Sequence, residues 1–367
     1  MEYTKTDAQE TLMTPVINSE ADFIEENDGE TVFINALSPL FTLGGIMHPN
    51  NNGGEYYRLD AAKKETYSKT NAFLAECTSG AQLRFITDSD RIVIKIWLRN
   101  PITGMNHFTN RGVYGIDAYV GTGTNRSYVG TQMQTFADSP SYNEGGLGLG
   151  LGTKEVLINL PLYSGVSKLV IGFPIGAGVA PPAKRTVKNP VAFYGSSITQ
   201  GGCVSRPGNM YAHILCRALD ADCLNLGFSG SALGELSVAE YLGTREMSAF
   251  IMDYDYNSPT AESLLQTHAP FFEAFRTRRP DTPVIIVTHP YYEAPTEKDE
   301  ERKAIVKATY KSAVKKGDKR VYFVDSEGFF PPEMRDLYSV DNLHPNDLGQ
   351  FMMAKAILPV LKKALKH

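Results

Sequence analysis

The chain changes character near residue 175, and that change restricts its fold more than any other feature. From about Thr31 to Phe173 the sequence runs in short alternating or β-rich stretches divided by Gly, Asn, Asp and Ser. Strand candidates are Gln82–Thr87, Arg91–Leu98, Val113–Val120, Ser127–Thr131, Val156–Leu160 and Leu169–Ile171. Many short strands with little helical periodicity between them predict an antiparallel sandwich or barrel. The glycine-rich run 145–152 reads as a flexible loop or irregular edge, because no strand-to-helix context follows that would make it a phosphate cradle. Beyond residue 190 strands alternate with helices. The strands are Val191–Tyr194, Cys223–Leu226, Ala249–Met252, Val284–Thr288 and Val321–Val324; the helices fall at 209–219, 260–277, 298–316 and 347–366. That alternation predicts a parallel, doubly wound sheet. Pro174, Pro181, Pro182 and Pro190 give the intervening stretch the composition of a stiffened linker. The expected organisation is a β-sandwich domain over 1–175, a proline-containing linker over 176–189, and an α/β domain over 190–367.

Composition narrows the class of partner. Residues 1–175 carry 19 acidic and 13 basic side chains, and residues 176–367 carry 22 and 23. Neither part holds a basic patch suited to nucleic acid. The Lys/Arg run in 298–320 is interleaved with acids and reads as a solvated helix face. No apolar run approaches the ~18 residues of a membrane span. The first ten residues lack a basic start and an apolar h-region, so a cytoplasmic location is expected. Cys77, Cys203, Cys216 and Cys223 form no Cys-x-x-Cys pair, which argues against structural zinc. Asp253 and Asp255 have no histidine or carboxylate at ligand spacing, so neither metal nor cofactor is expected.

Two segments read as halves of one site. Gly195-Ser196-Ser197-Ile198-Thr199 follows the first strand of the α/β part, and Asp341-Asn342-Leu343-His344-Pro345 follows its last. In a parallel sheet every strand ends on one edge, so Ser197, Gly230, Asn257, His289 and the Asp341/His344 loop should converge there. A serine, an imidazole and a carboxylate in one crevice are the set that serine-based acyl transfer requires. Plainer uses exist for each. Ser197 fits a helix N-cap and Asp341 an Asx-turn or cap of the last helix. Asn257, before Ser258-Pro259, fits a turn and cap. His289 is either a substrate contact or a turn residue, and His268 reads as structural. Ser229 fails the Gly-x-Ser-x-Gly pattern, because residue 231 is serine.

Residues 190–362 resemble the SGNH, or GDSL-type, hydrolase family of esterases and acetylhydrolases. The family's Gly-Asp-Ser-Leu/Ile-Thr block appears as residues 195–199, with Ser196 in place of the usual aspartate. Asn225-Leu226-Gly227-Phe228-Ser229-Gly230 matches the second block, Asp255-Tyr256-Asn257-Ser258 a degenerate third, and Asp341/His344 an intact Asp-x-x-His. The resemblance implies a flavodoxin-like three-layer α/β/α domain with Ser197 as nucleophile, His344 as base and Asp341 as its orienting acid. It also implies an oxyanion hole from the N–H groups of Ser197 and Gly230 and the Asn257 amide, with Ser196 and His289 as candidate substrate contacts. Gly115-Ile116-Asp117-Ala118-Tyr119 resembles the Gly-x-Asp-Leu-Tyr motif of a β-rich, jelly-roll-like domain that precedes the hydrolase in one bacterial branch. Asp117 itself is expected to be a turn or buried hydrogen-bonding residue.

The expected activity is a serine esterase removing a small acyl group, most plausibly acetyl, from an oligosaccharide; the acetyl and the sugar follow from the resemblance. A thioester, phospholipid or other acyl substrate is the enzymatic alternative. A carbohydrate-binding protein with a decayed site is the other. Oligomeric state is left open.

Overall fold

The computed structural model describes residues 14–15, 23–102, 105–132 and 141–366. Its first part holds two antiparallel sheets. One has seven strands: Thr14–Pro15, Gly178–Ala180, Gln82–Thr87, Lys154–Asn159, Ile116–Thr122 and Asn125–Gln132 in spatial order, with Thr42–Gly44 also paired to Gln82–Thr87. The other has five: Ile24–Asn27, Thr31–Asn35, Gly165–Pro174, Arg91–Arg99 and Tyr142–Gly148. Burial along Arg91–Arg99 alternates, as a sheet with one face on a core requires. Ile92, Ile94, Ile96 and Leu98 face inward against Val32, Phe85, Ile158 and Ile171. The glycine-rich run is the end of an edge strand, Tyr142–Gly148, paired to Arg91–Trp97. The strand expected from Val113 begins instead at Ile116, because Thr109 caps a helical turn over Asn110–Val113.

The second part carries a five-stranded parallel sheet in the order Cys223–Gly227, Val191–Gly195, Ala249–Asp253, Val284–Val287, Val321–Val324. Its strands are continuous apolar runs because both faces are covered. Val191 and Phe193 pack with Leu215 and Ile357 on one side, and Ala192 and Tyr194 with Leu242, Phe271 and Val306 on the other. Helices Tyr211–Leu219 and Asp347–Ala364 serve the first face; Leu236–Thr244, Ala261–Arg278 and Glu297–Lys315 serve the second. Leu236–Thr244 escapes the sequence pattern because it is short, ends in Gly243-Thr244 and begins with no side-chain cap. The order of the strands reverses at Val191–Gly195, and such a switch point opens a crevice at the carboxyl edge. Among the described residues no helix is long and apolar enough to cross a membrane.

The two parts are joined over a broad buried surface. Leu160, Leu162 and Tyr163 share one core with Ile198, Met210 and Tyr211, and Tyr57, Leu59 and Leu74 share another with Leu226, Phe228 and Tyr241. The proline-containing stretch 176–189 is held down rather than free. Gly178–Ala180 completes the seven-stranded sheet, and Arg185 bonds Asp220, Asp222 and Gln82. Asp117 is buried and hydrogen-bonding, and its partners cross between the parts. It accepts from Asn159 Nδ2 (2.6 Å), Arg206 Nη1 (2.6 Å) and Gly208 N (2.8 Å). A Cβ on Gly208 would lie 2.6 Å from Asp117 Oδ2, so only glycine permits this approach.

Candidate active site

The site is assembled from the turns that leave the parallel strands. Val191–Gly195 ends at a glycine whose added Cβ would collide with Thr199 and Asp253, and the chain turns at once into the short helix Ser197–Gln200. Ser196 Oγ caps that helix by accepting from Ile198 N (3.2 Å), so the N-cap role falls to Ser196 and leaves Ser197 Oγ free. Ser197 is 8 % exposed, and its Oγ lies 2.9 Å from His344 Nε2. His344 Nδ1 lies 2.8 Å from Asp341 Oδ2. Because a carboxylate can only accept, Nδ1 carries the proton, and the Nε2 lone pair faces the serine hydroxyl.

Asp341 is held by its own turn. Its Oδ1 accepts from Leu343 N (3.1 Å) and His344 N (2.7 Å), while Asn342 takes a left-handed φ of 60°. Burial works to raise its pKa, but the hydrogen bonds and charge of His344 outweigh this and hold the carboxyl below its usual range. The Asx-turn is therefore present alongside the imidazole contact. The last helix is capped by Asn346, not by Asp341.

The other predicted residues sit on neighbouring strand ends. Gly230 is exposed, with φ of 63°, and its N–H meets no acceptor among the described residues. Asn257 Nδ2 donates to Phe228 O (3.0 Å), tying the turn after the third strand to the Gly227–Gly230 turn. Thr260, not Asn257, caps the following helix. Under the serine, Asp253 accepts from Thr199 Oγ1 (2.5 Å) and Tyr211 OH (2.8 Å). Burial pushes its pKa up to about 7 against the pull of those two hydroxyls.

His289 is held between two other carboxylates. Its Nδ1 is 2.7 Å from Asp255 Oδ2 and its Nε2 3.4 Å from Asp299 Oδ1. Burial lowers its pKa, but the two carboxylates reverse the sign and raise it. It lines a cavity of about 180 Å³ with Tyr256, Tyr291, Tyr292, Asp299 and Asn342, the last being the neighbour of Asp341. His268 is a packing residue, bonded to Thr309 and pushed down to about 4 by burial.

Several supporting groups escaped the sequence reading. Arg58 is fully buried, and its guanidinium donates to Asn225 O (3.0 Å), Gly227 O (2.7 Å) and Leu74 O (2.7 Å) while lying over the Phe228 ring. Tyr163 OH donates to Ser197 O (3.1 Å), and Ser79 Oγ to Gln200 O (2.7 Å). Gln200 accepts from Ser229 N and donates to Leu162 O. Nothing local marks these residues, since every partner lies at least sixteen residues away and most lie more than thirty. Among the described residues, His107, Cys203 and His344 form the one group of three whose ligand atoms all lie within 4.8 Å of one another.

Family models match both parts of the chain. Residues 188–362 match the GDSL-like lipase/acylhydrolase family, and residues 31–179 match the GxDLY domain, described as the N-terminus of SGNH-hydrolase-type esterases. The chain belongs to the SGNH, or GDSL-type, hydrolases. It is an esterase by family. A protein from Bacteroides ovatus named a GDSL-like lipase is 27% identical over 92% of this chain and 98% of its own, with a TM-score of 0.81. The salicylyl-acyltransferase of a tetracycline biosynthetic pathway shares the fold at 18% identity, covering 90% of this chain and 96% of its own, with a TM-score of 0.74. A family two carbohydrate esterase from Clostridium thermocellum, in complex with cellohexaose, shares it at 16% identity, 78% and 93% coverage and a TM-score of 0.57. No curated protein matches by sequence.

Proposed function

We propose that this SGNH hydrolase is a carbohydrate O-acetylesterase working through an acyl-enzyme on Ser197. The observation that carries the reading is the continuous chain Ser197 Oγ–His344 Nε2, His344 Nδ1–Asp341 Oδ2, at 2.9 and 2.8 Å. His344 takes the serine proton as Oγ attacks the ester carbonyl, then returns it to the departing alcohol. Asp341 keeps Nδ1–H oriented and stabilises the imidazolium. The N–H groups of Ser197 and Gly230 and the free N–H of the Asn257 amide meet the oxyanion. Water then repeats the sequence on the acetyl-serine, and acetate leaves.

Two features favour a small acyl group on a polyol. Phe108 stands edge-on to Tyr163 at 4.6 Å and 5.9 Å from the His344 ring, an aromatic wall beside the serine that suits a methyl better than a long chain. On the Asn342 side, the cavity-lining Tyr291 OH and Tyr292 OH are buried without a hydrogen-bond partner among the described residues. Buried polar groups in that state are costly, and sugar hydroxyls would satisfy them. Carbohydrate esterases among the proteins of similar fold are consistent with this reading.

The test compares kcat/KM for acetylated oligosaccharides with that for 4-nitrophenyl esters of increasing acyl length. The expected order is acetylated sugar first, with the simple esters falling as the chain lengthens. A preference for octanoyl over acetyl esters would reject the assignment and favour a lipid or thioester substrate.

A further inference from the structure

Beside His344 the crevice holds two side chains that ester hydrolysis does not use, His107 and Cys203. His107 belongs to the first part of the chain, on the loop before the Asn110–Val113 turn, and its ring centroid lies 5.2 Å from that of His344. Cys203 follows the serine helix by three residues and is buried. One ligand atom from each of His107, Cys203 and His344 lies within 4.8 Å of the other two. Cys203 holds a left-handed φ of 67°, a conformation that L side chains other than Asn and Asp rarely adopt. Backbone of that kind persists only where the surroundings impose it. Cys77, Cys216 and Cys223 are also buried, but among the described residues none joins such a group.

We propose that His107, Cys203 and His344 form a binding site for a thiophilic divalent cation, Zn²⁺ by preference, and that occupation switches the esterase off. Two imidazoles and a thiolate are the donor set that soft-to-borderline cations select over Mg²⁺ or Ca²⁺. Tetrahedral zinc, with bonds of about 2.3 Å to sulfur and 2.0–2.1 Å to nitrogen, needs its ligands roughly 3.3–3.7 Å apart. Closing from the present spacing takes about an ångström, which the half-buried His107 supplies by rotating on its loop. The Asp341–His344 pair is already the carboxylate–imidazole arrangement that orients metal-bound histidines. The hydrogen bond that makes Nε2 a base therefore also makes it a ligand. On binding, the cation exchanges three waters for the two imidazole lone pairs and the Cys203 sulfur, and the thiol proton passes to solvent. Nε2 can no longer accept the Ser197 proton, so acyl transfer stops. A fourth position stays open to water.

The inhibitory consequence rests on the serine mechanism proposed above; the binding does not. Cobalt(II) separates the two, because thiolate–cobalt coordination gives a charge-transfer absorption whether or not the protein turns over ester. The full chain is titrated with Co²⁺ and followed by absorption. In parallel, 4-nitrophenyl acetate hydrolysis is followed with Zn²⁺ and then excess chelator. The wild type should show the thiolate–cobalt band and lose activity reversibly. Cys203→Ala should keep basal activity and lose the band, and His107→Gln should need about tenfold or more zinc for half-inhibition. Absence of the band in the wild type, or zinc sensitivity in both variants equal to that of the wild type, would overturn the proposal. A band in a protein that hydrolyses no ester would keep the site and remove the esterase reading instead.

Discussion

In the α/β half, Ser197, Gly230 and Asn257 stand on turns that leave strands, and Asp341 and His344 on the loop that enters the last helix. The β half reaches the same turns from behind. Arg58 grips the carbonyls of Asn225 and Gly227, Tyr163 the carbonyl of Ser197, and Ser79 the carbonyl of Gln200. In the proposed mechanism one half provides the reacting groups, and the other holds the backbone of their turns. The contacts from the β half go mostly to main chain, so they hold the turns without specifying their side chains. An accessory sandwich can in this way be indispensable to geometry while carrying no reacting group of its own.

Two substitutions probe that division. The larger effect is expected from Asp341→Asn on the α/β side. It should lower kcat by up to ~10⁴-fold through the wrong imidazole tautomer, with the melting temperature nearly unchanged. A loss below tenfold would show that Ser339, which accepts from Asp341 N and donates to His344 O, and the turn itself suffice to aim the imidazole.

Arg58→Met on the β side should give a smaller and different signature. Removing the guanidinium leaves three buried carbonyls without this donor, so the melting temperature should fall by on the order of 5 °C. Displacement of the Gly227–Gly230 turn should also lower kcat about 10- to 100-fold with KM little changed. Arg58→Lys, which keeps a charge and donors, should recover part of kcat. A melting shift with unchanged kcat would break the comparison and reduce the β half to a stabilising role.

The comparison also explains what could be read from sequence. The parallel strands declare themselves because each is a short, largely apolar run, and their boundaries fall within a residue or two of the expected ones. Ser197 is legible because strand direction carries it to the carboxyl edge, and Asp341 and His344 because their three-residue spacing pairs a carboxylate with an imidazole. Arg58 is not: its side chain bonds residues 167 and 169 positions away, and neither Tyr57 nor Leu59 hints at a buried cation. Asp117 is intermediate. Its motif is visible, but the Arg206 that fixes its orientation lies 89 residues on. The His107–Cys203–His344 group is invisible in sequence, since its members come from three loops in two halves of the chain.

The central claim is that Ser197 is activated by His344 and carries the acyl group. It is tested most directly by labelling the intact protein with a fluorophosphonate and measuring its mass, wild type beside Ser197→Ala. The account predicts one adduct in the wild type, located at Ser197, and none in the variant, whose ester turnover is lost. Labelling at another residue, or turnover near wild type in Ser197→Ala, would contradict it.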